Sequence, residues 1–167
     1  MGTLIDDILE LSRVSRHTMR HDPVDMSRAV PQRKAEIHIM PDCSAVGDPQ
    51  LLRVLLQNLL ENAWKYTGKS DAARIEFGCE IVNGETVFHV RDNGVGFDMQ
   101  YAGRLFTPFQ RLHSPEEFAG TGIGLATVAR VAIRHGGRVW AESAVGRGTV
   151  LRFTLGGTDK PLDHAAL

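Results

Sequence analysis

The chain has 167 residues, 43% of them hydrophobic, which is enough for the core of one domain with a small appendage. Its 19 basic and 20 acidic residues leave a formal charge of −1, which excludes the basic footprint that dominates nucleic-acid affinity. No apolar run approaches the roughly 18 residues that span a bilayer, and Met1-Gly2-Thr3 leads into a charged helix, so the chain reads as cytoplasmic, without direct membrane contact.

Leu4, Ile8 and Leu11 recur at four-three spacing with Asp6, Asp7, Glu10 and Arg13 outside them, the seam of a helix that packs on another helix. Asp22-Pro23 stops it. The seam serves either a helix packed on its own domain or the tail of a dimerisation helix, which would leave a homodimer open. From Val24 to Val30 there is room for about two helical turns before Pro31 ends them. Ala35 to Ile39 then alternates as a short strand. Cys43, like Cys79 further on, stands without a partner at metal-ligand spacing, and both read as reduced structural thiols.

Asp48-Pro49 supplies an N-cap followed by proline at the first helical position. On the helix it predicts, Leu52, Leu55, Leu56, Leu59 and Ala63 form the buried stripe, and Asn58, Asn62 and Lys65 line the neighbouring ridge. That ridge is either a solvated face or a metal and phosphate ridge, because an amide oxygen can complete the shell of Mg²⁺ and a lysine can offer a point charge to phosphates. Gly68 is the expected terminator.

Ile75, Phe77, Cys79 and Ile81 alternate with polar residues, and Asn83-Gly84 follows as a hairpin signal. The returning strand, Thr86 to Arg91, delivers Asp92. This carboxylate is either a turn-former or an acceptor for the amino group of a base. Gly94 and Gly96 come directly after it, and a second glycine cluster, Gly120-Thr121-Gly122-Ile123-Gly124-Leu125, opens an apolar helix ended by Gly136-Gly137. Glycine lets backbone approach a ligand, so the two clusters suggest two walls of one nucleotide pocket. Between them lies a segment with only short helical possibilities, anchored by Phe106 and Phe109. Arg138 to Ser143 and Thr149 to Leu155 read as two further strands.

Five segments resemble, in order, the N box, first glycine box, F box, second glycine box and third glycine box of bacterial sensor histidine kinases. They are Asn58 to Thr67, Asp92 to Phe97, Leu105 to Phe109, Gly120 to Leu125 and Gly146-Arg147-Gly148-Thr149. The resemblance implies an α+β, two-layer sandwich of the ATP-binding type shared with type II topoisomerases, a heat-shock chaperone and mismatch-repair ATPases. Its sheet would be mixed but mostly antiparallel, with helices on one face. It divides the chain into residues 1–22, the end of a dimerisation and phosphoacceptor helix, 23–157, the catalytic ATP-binding domain, and 158–167, a tail.

Carried over to this sequence, the resemblance implies ATP and Mg²⁺ as cofactors. Asn62 would be the metal ligand, with Asn58 and Lys65 near the phosphates. Asp92, assisted by Thr149, would take the adenine amino group beside Gly94, Gly96 and Tyr66. The Gly120, Gly122 and Gly124 amides, with Thr121, Ile123 and Leu125, would face the phosphates, and Phe106 and Phe109 would anchor the ATP lid. Partners would be a phosphoacceptor histidine domain and a response regulator.

The sequence departs from the family in two places. None of its seven histidines stands in the phosphoacceptor setting, and the helix expected between Val24 and Pro31 is abbreviated. Relatives that hydrolyse ATP carry a glutamate where Asn58 stands, which favours transfer over hydrolysis. The alternatives are an ATP-hydrolysing fragment of the same fold and a nucleotide-binding module without chemistry.

Overall fold

The computed structural model describes Val14 and residues 22–25, 35–109, 112 and 122–156. The expected helical seam over Leu4, Ile8 and Leu11 and the tail 158–167 lie outside the described residues. Val14 itself is buried in the core, and the Arg134 guanidinium donates to its carbonyl.

In chain order the strands are β1 (Asp22–Asp25), β2 (Glu36–Ile39), β3 (Ser44–Gly47), β4 (Arg74–Val82), β5 (Glu85–Asp92), β6 (Val139–Ala144) and β7 (Gly148–Thr154). Helix α1 (Pro49–Tyr66) lies between β3 and β4, and α2 (Gly124–Arg134) between β5 and β6. The main sheet has the order β2-β4-β5-β7-β6, with β2 parallel to β4 and every other pair antiparallel. This is the expected mixed, mostly antiparallel sheet. Asn83 and Gly84 turn β4 into β5 with φ of 53° and 80°, the left-handed pair that matches the twist of a two-residue hairpin.

α1 begins where the Asp48 carboxylate accepts hydrogen bonds from the Gln50 and Leu51 amides, with Pro49 needing no partner for a missing N–H. The predicted stripe is buried and is widened by Leu51 and Leu60. Thr67, whose hydroxyl donates to the Ala63 carbonyl, caps the helix one residue before the expected Gly68. α2 ends with Gly136 at φ 79°, its N–H on the Ile133 carbonyl and that of Gly137 on the Ala132 carbonyl. That pair closes the last turn without leaving carbonyls orphaned.

Both helices contribute to a single core with Ile75, Phe77, Phe88, Val90, Ala141, Leu151 and Phe153 of the sheet. Phe88 and Phe153 stack across β5 and β7 with centroids 5.1 Å apart. The opposite face is dressed by polar chains. Arg152 of β7 reaches Glu142 on the neighbouring β6 at 3.2 Å and, across β5, Glu80 on β4 at 2.7 Å. Beneath this layer His89 bonds Glu76 at 3.0 Å, and Gly78 leaves room for its ring, since a Cβ there would lie 2.8 Å from the imidazole.

One expectation is corrected. Val24 and Asp25, assigned to the start of two helical turns, belong instead to β1, which pairs antiparallel with β3 as a separate ribbon (Val24 opposite Ala45). Residues 26–30 lie outside the described set. Pro23 is tolerated because a two-stranded ribbon leaves an edge on which no N–H is required.

Candidate functional site

The candidate site is built along α1. The Asn58 Nδ2 donates to the Val54 carbonyl at 2.9 Å, which fixes the amide with its Oδ1 turned away from its own helix. That oxygen meets the start of α2, where a Cβ added at Gly124 would fall 2.9 Å from it. A glycine lets the start of α2 come this close without displacing the Asn58 amide. Asn62, one turn further along the same ridge, is half-buried, and Lys65 places its Nζ 4.8 Å from the centroid of the half-buried Tyr66 ring.

At the C-terminal end of α1 the first glycine turn packs directly under the helix. Val95 donates its N–H to the Tyr66 carbonyl at 3.2 Å, and a Cβ on Gly94 would stand 2.3 Å from that same oxygen. Gly96, at φ 63°, is pressed against the Ala144 carbonyl, where a Cβ would come within 2.0 Å. The wall from Asn58 to Tyr66 is about 12 Å long at about 1.5 Å per helical residue. It runs from the second glycine cluster at one end to the first at the other.

Asp92 ends β5 directly opposite Thr149 of β7 and is buried. Its Oδ1 accepts the Gly94 N–H at 2.9 Å. Burial pushes the carboxyl up to about 6 from its ordinary 3.8, against the opposing pull of the Gly94 and Thr149 backbone N–H groups. It is thus a desolvated acceptor, poised to recover hydrogen bonding from a ligand that brings a donor.

Ser143, which the sequence reading passed over, ties these turns together. Its Oγ lies 2.9 Å from the Phe97 N, 2.8 Å from the Gly148 carbonyl and 2.9 Å from the Thr149 Oγ1. A serine in a strand carries no spacing signal of its own, so its role emerges only from the β6–β7 register, in which it faces Thr149.

In the segment after the first glycine cluster, a 3₁₀ helix spans Met99–Arg104. Phe106 packs against the core, whereas Phe109 is exposed and held by its backbone, N–H to the Gly122 carbonyl at 3.1 Å. Phe106 is thus half-buried against the core, while the Phe109 ring faces solvent. Ile123 is buried and Leu125 half-buried at the base of α2. Gly120 and Thr121 lie outside the described residues.

Comparison with known proteins agrees with this geometry. Residues 47–158 match the family described as histidine kinase-, DNA gyrase B-, and HSP90-like ATPase. The chain is 38% identical to cyanobacterial phytochrome A of Nostoc sp. over 93% of its own length, and this covers 22% of that protein. It is 39% identical to the methanogenesis regulatory histidine kinase FilI of Methanothrix harundinacea, again over 93% of its length, and 19% of that protein. It thus spans about a fifth of the length of these curated relatives. Among solved structures it superposes on full-length ShkA in complex with AMPPNP with a TM-score of 0.70 at 26% identity, covering 91% of this chain and 35% of that one. The mycobacterial sensor histidine kinase MprB gives 0.63 at 25% identity, covering 81% and 96%. With the family matched from β3 to just past β7 and the two glycine turns meeting one amide-bearing helix, the chain belongs to the histidine kinase-, DNA gyrase B- and HSP90-like ATPase family.

Proposed function

We propose that residues 23–157 are the catalytic ATP-binding domain of a sensor histidine kinase. They would take Mg-ATP and pass its γ-phosphate to a histidine on a phosphoacceptor domain whose last helix would fall before β1, in which Asp22 already pairs with Gly47. The observation that carries this reading is the meeting of three motifs along α1: the Asn58 oxygen against Gly124, the Tyr66 carbonyl over Gly94, and Asp92 buried two residues before that glycine.

Asp92 takes the adenine amino group, and Thr149 stands beside it. Gly122 and Gly124 open α2, whose N-terminal amides and dipole favour phosphate. Lys65 supplies positive charge from the end of α1. Asn62 is the neutral oxygen donor for Mg²⁺, an ion that takes much of its shell from water and phosphate oxygens and so needs few protein ligands. When bound, that ion would offset the charge of the phosphates.

In the transfer step a bond forms between the imidazole nitrogen and the γ-phosphorus while the bond from phosphorus to the β,γ-bridging oxygen breaks, leaving ADP. Positioning and charge neutralisation do most of this work. An amide at Asn58 cannot deprotonate water, so the site favours transfer over hydrolysis. A response regulator would take the phosphate onward, and the reaction would run in the cytoplasm.

The test is incubation of the chain with a separate phosphoacceptor domain and γ-labelled ATP. Acid-labile phosphate on the supplied histidine is the expected product; steady phosphate release without transfer would replace this reading by hydrolysis. Asn62→Ala should remove the Mg²⁺-dependent part of ATP affinity, and identical titrations with and without Mg²⁺ in both proteins would refute its role.

A further inference from the structure

We infer that Ser143 sets the base specificity of the site by consuming the hydroxyl proton of Thr149, so that Thr149 can only accept hydrogen bonds from the purine. This rests on the reading of Asp92 and Thr149 as the base-binding pair.

The argument is a count of hydrogens. A serine hydroxyl has one hydrogen and two lone pairs. The Ser143 Oγ has three polar neighbours. The Gly148 carbonyl can only accept, so at 2.8 Å it must receive the serine's hydrogen. The Phe97 N–H can only donate and uses one lone pair. The remaining lone pair faces the Thr149 Oγ1 at 2.9 Å, and the only hydrogen left for that bond is the threonine's own. Reversing it would leave two oxygens, those of Ser143 and Gly148, in contact without a hydrogen between them.

The Thr149 oxygen therefore turns lone pairs to the pocket. Across the strand pair, Asp92 is also an acceptor when ionised. Two acceptors match the two hydrogens of a 6-amino group and repel the oxygen of a 6-oxo purine. A threonine hydroxyl free to rotate would accommodate either. Ser143 touches no base in this scheme. It is a positioning residue that acts through Thr149, and it gives the third glycine turn its fixed hydrogen-bond polarity.

The experiment measures affinities of the chain for ATP, for inosine triphosphate and for purine riboside triphosphate, which lacks a 6-substituent. The native protein should rank them in the order ATP, purine riboside triphosphate, inosine triphosphate. Ser143→Ala should narrow the ratio of ATP to inosine triphosphate affinity by about tenfold, the scale of one mismatched polar pair. Ser143→Thr, which keeps the hydroxyl, should hold the ratio within about twofold of native. An unchanged ratio in Ser143→Ala, with all three nucleotides weakened equally, overturns the inference and leaves a structural serine. So does inosine triphosphate binding the native protein as well as purine riboside triphosphate does, a result that does not depend on any variant folding. Thr149→Val separates the two levels. If it leaves ATP affinity unchanged, the base-site reading itself fails; if it weakens ATP while Ser143→Ala keeps the native ratio, only the role of Ser143 is lost.

Discussion

Asp92→Asn should make the empty domain less sensitive to pH while it damages adenine binding, because the buried carboxylate is held there at a cost to stability. Burial raises its pKa from 3.8 to about 6. At 1.36 kcal/mol per pH unit this corresponds to about 3 kcal/mol. A carboxyl whose folded pKa lies above its unfolded one keeps its proton longer in the native state. Native protein therefore binds more protons than the unfolded chain between about pH 4 and pH 6, and stability falls as pH rises through that window. Above it the loss is complete and constant.

The asparagine variant lacks this titration. Its amide will face at least one backbone N–H that the carboxylate accepted, a penalty of about 1–3 kcal/mol, but that penalty does not vary with pH. Denaturant titrations of both proteins across about pH 4 to pH 7 isolate the effect, since other groups, such as Glu76 with its pKa lowered chiefly by the His89 hydrogen bond, are common to both. The difference in stability should shift in favour of the variant by up to about 3 kcal/mol over the window. A difference that stays flat would refute the burial argument. Over the same range ATP affinity of the native protein should weaken as pH drops through about 6, where Asp92 takes up its proton and one of its acceptor sites.

The other expectations concern close approaches and helix ends. Gly124→Ala puts a methyl 2.9 Å from the Asn58 Oδ1, a side-chain atom that can yield, so the melting temperature should hold while ATP affinity falls at least about tenfold by calorimetry. Gly94→Ala meets the Tyr66 backbone oxygen at 2.3 Å, which cannot yield, and should lose about 2–3 kcal/mol in a urea melt; a variant of native stability would show that the first glycine turn does not bear on α1. His135→Phe removes the acceptor of the Asp48 N–H and the donor to the Val131 carbonyl and should cost about 1–3 kcal/mol by the same assay, with no cost expected if these bonds were replaced by water.

Features encoded within a few residues were legible in the sequence. The Asp48-Pro49 start of α1, the Asn83-Gly84 hairpin and the Gly136-Gly137 stop of α2 each stand where local chemistry demands, because a cap or a left-handed turn leaves few alternatives. The leucine stripe likewise needed only its period. β1 and β3 escaped because Asp22-Pro23-Val24-Asp25 and Ser44-Ala45-Val46-Gly47, unlike the equally short β2, carry no polar and apolar alternation, and what holds them is each other, across nearly twenty residues of chain. Gly68 follows the Thr67 cap without a left-handed φ, its N–H reaching the Lys65 carbonyl at 3.2 Å, while the Thr67 hydroxyl adds a bond to the Ala63 carbonyl. Within the site, Asp92, Gly94 and Gly124 were readable as members of ordered motifs, whereas Ser143 was not, since its meaning lies in three partners brought to it by two other segments.

Helix α2 is fastened to α1 at both of its own ends. Gly124 rests on Asn58 at one, and at the other the Asp48 N–H donates to His135 Nε2 at 3.0 Å, while Nδ1 holds the Val131 carbonyl at 2.8 Å. Such a frame is preorganised: an incoming nucleotide does not have to draw these walls together, so little of its intrinsic affinity is diverted into rearranging them. Discrimination among ligands then falls to the fixed directions of a few donors and acceptors rather than to closure of the helices.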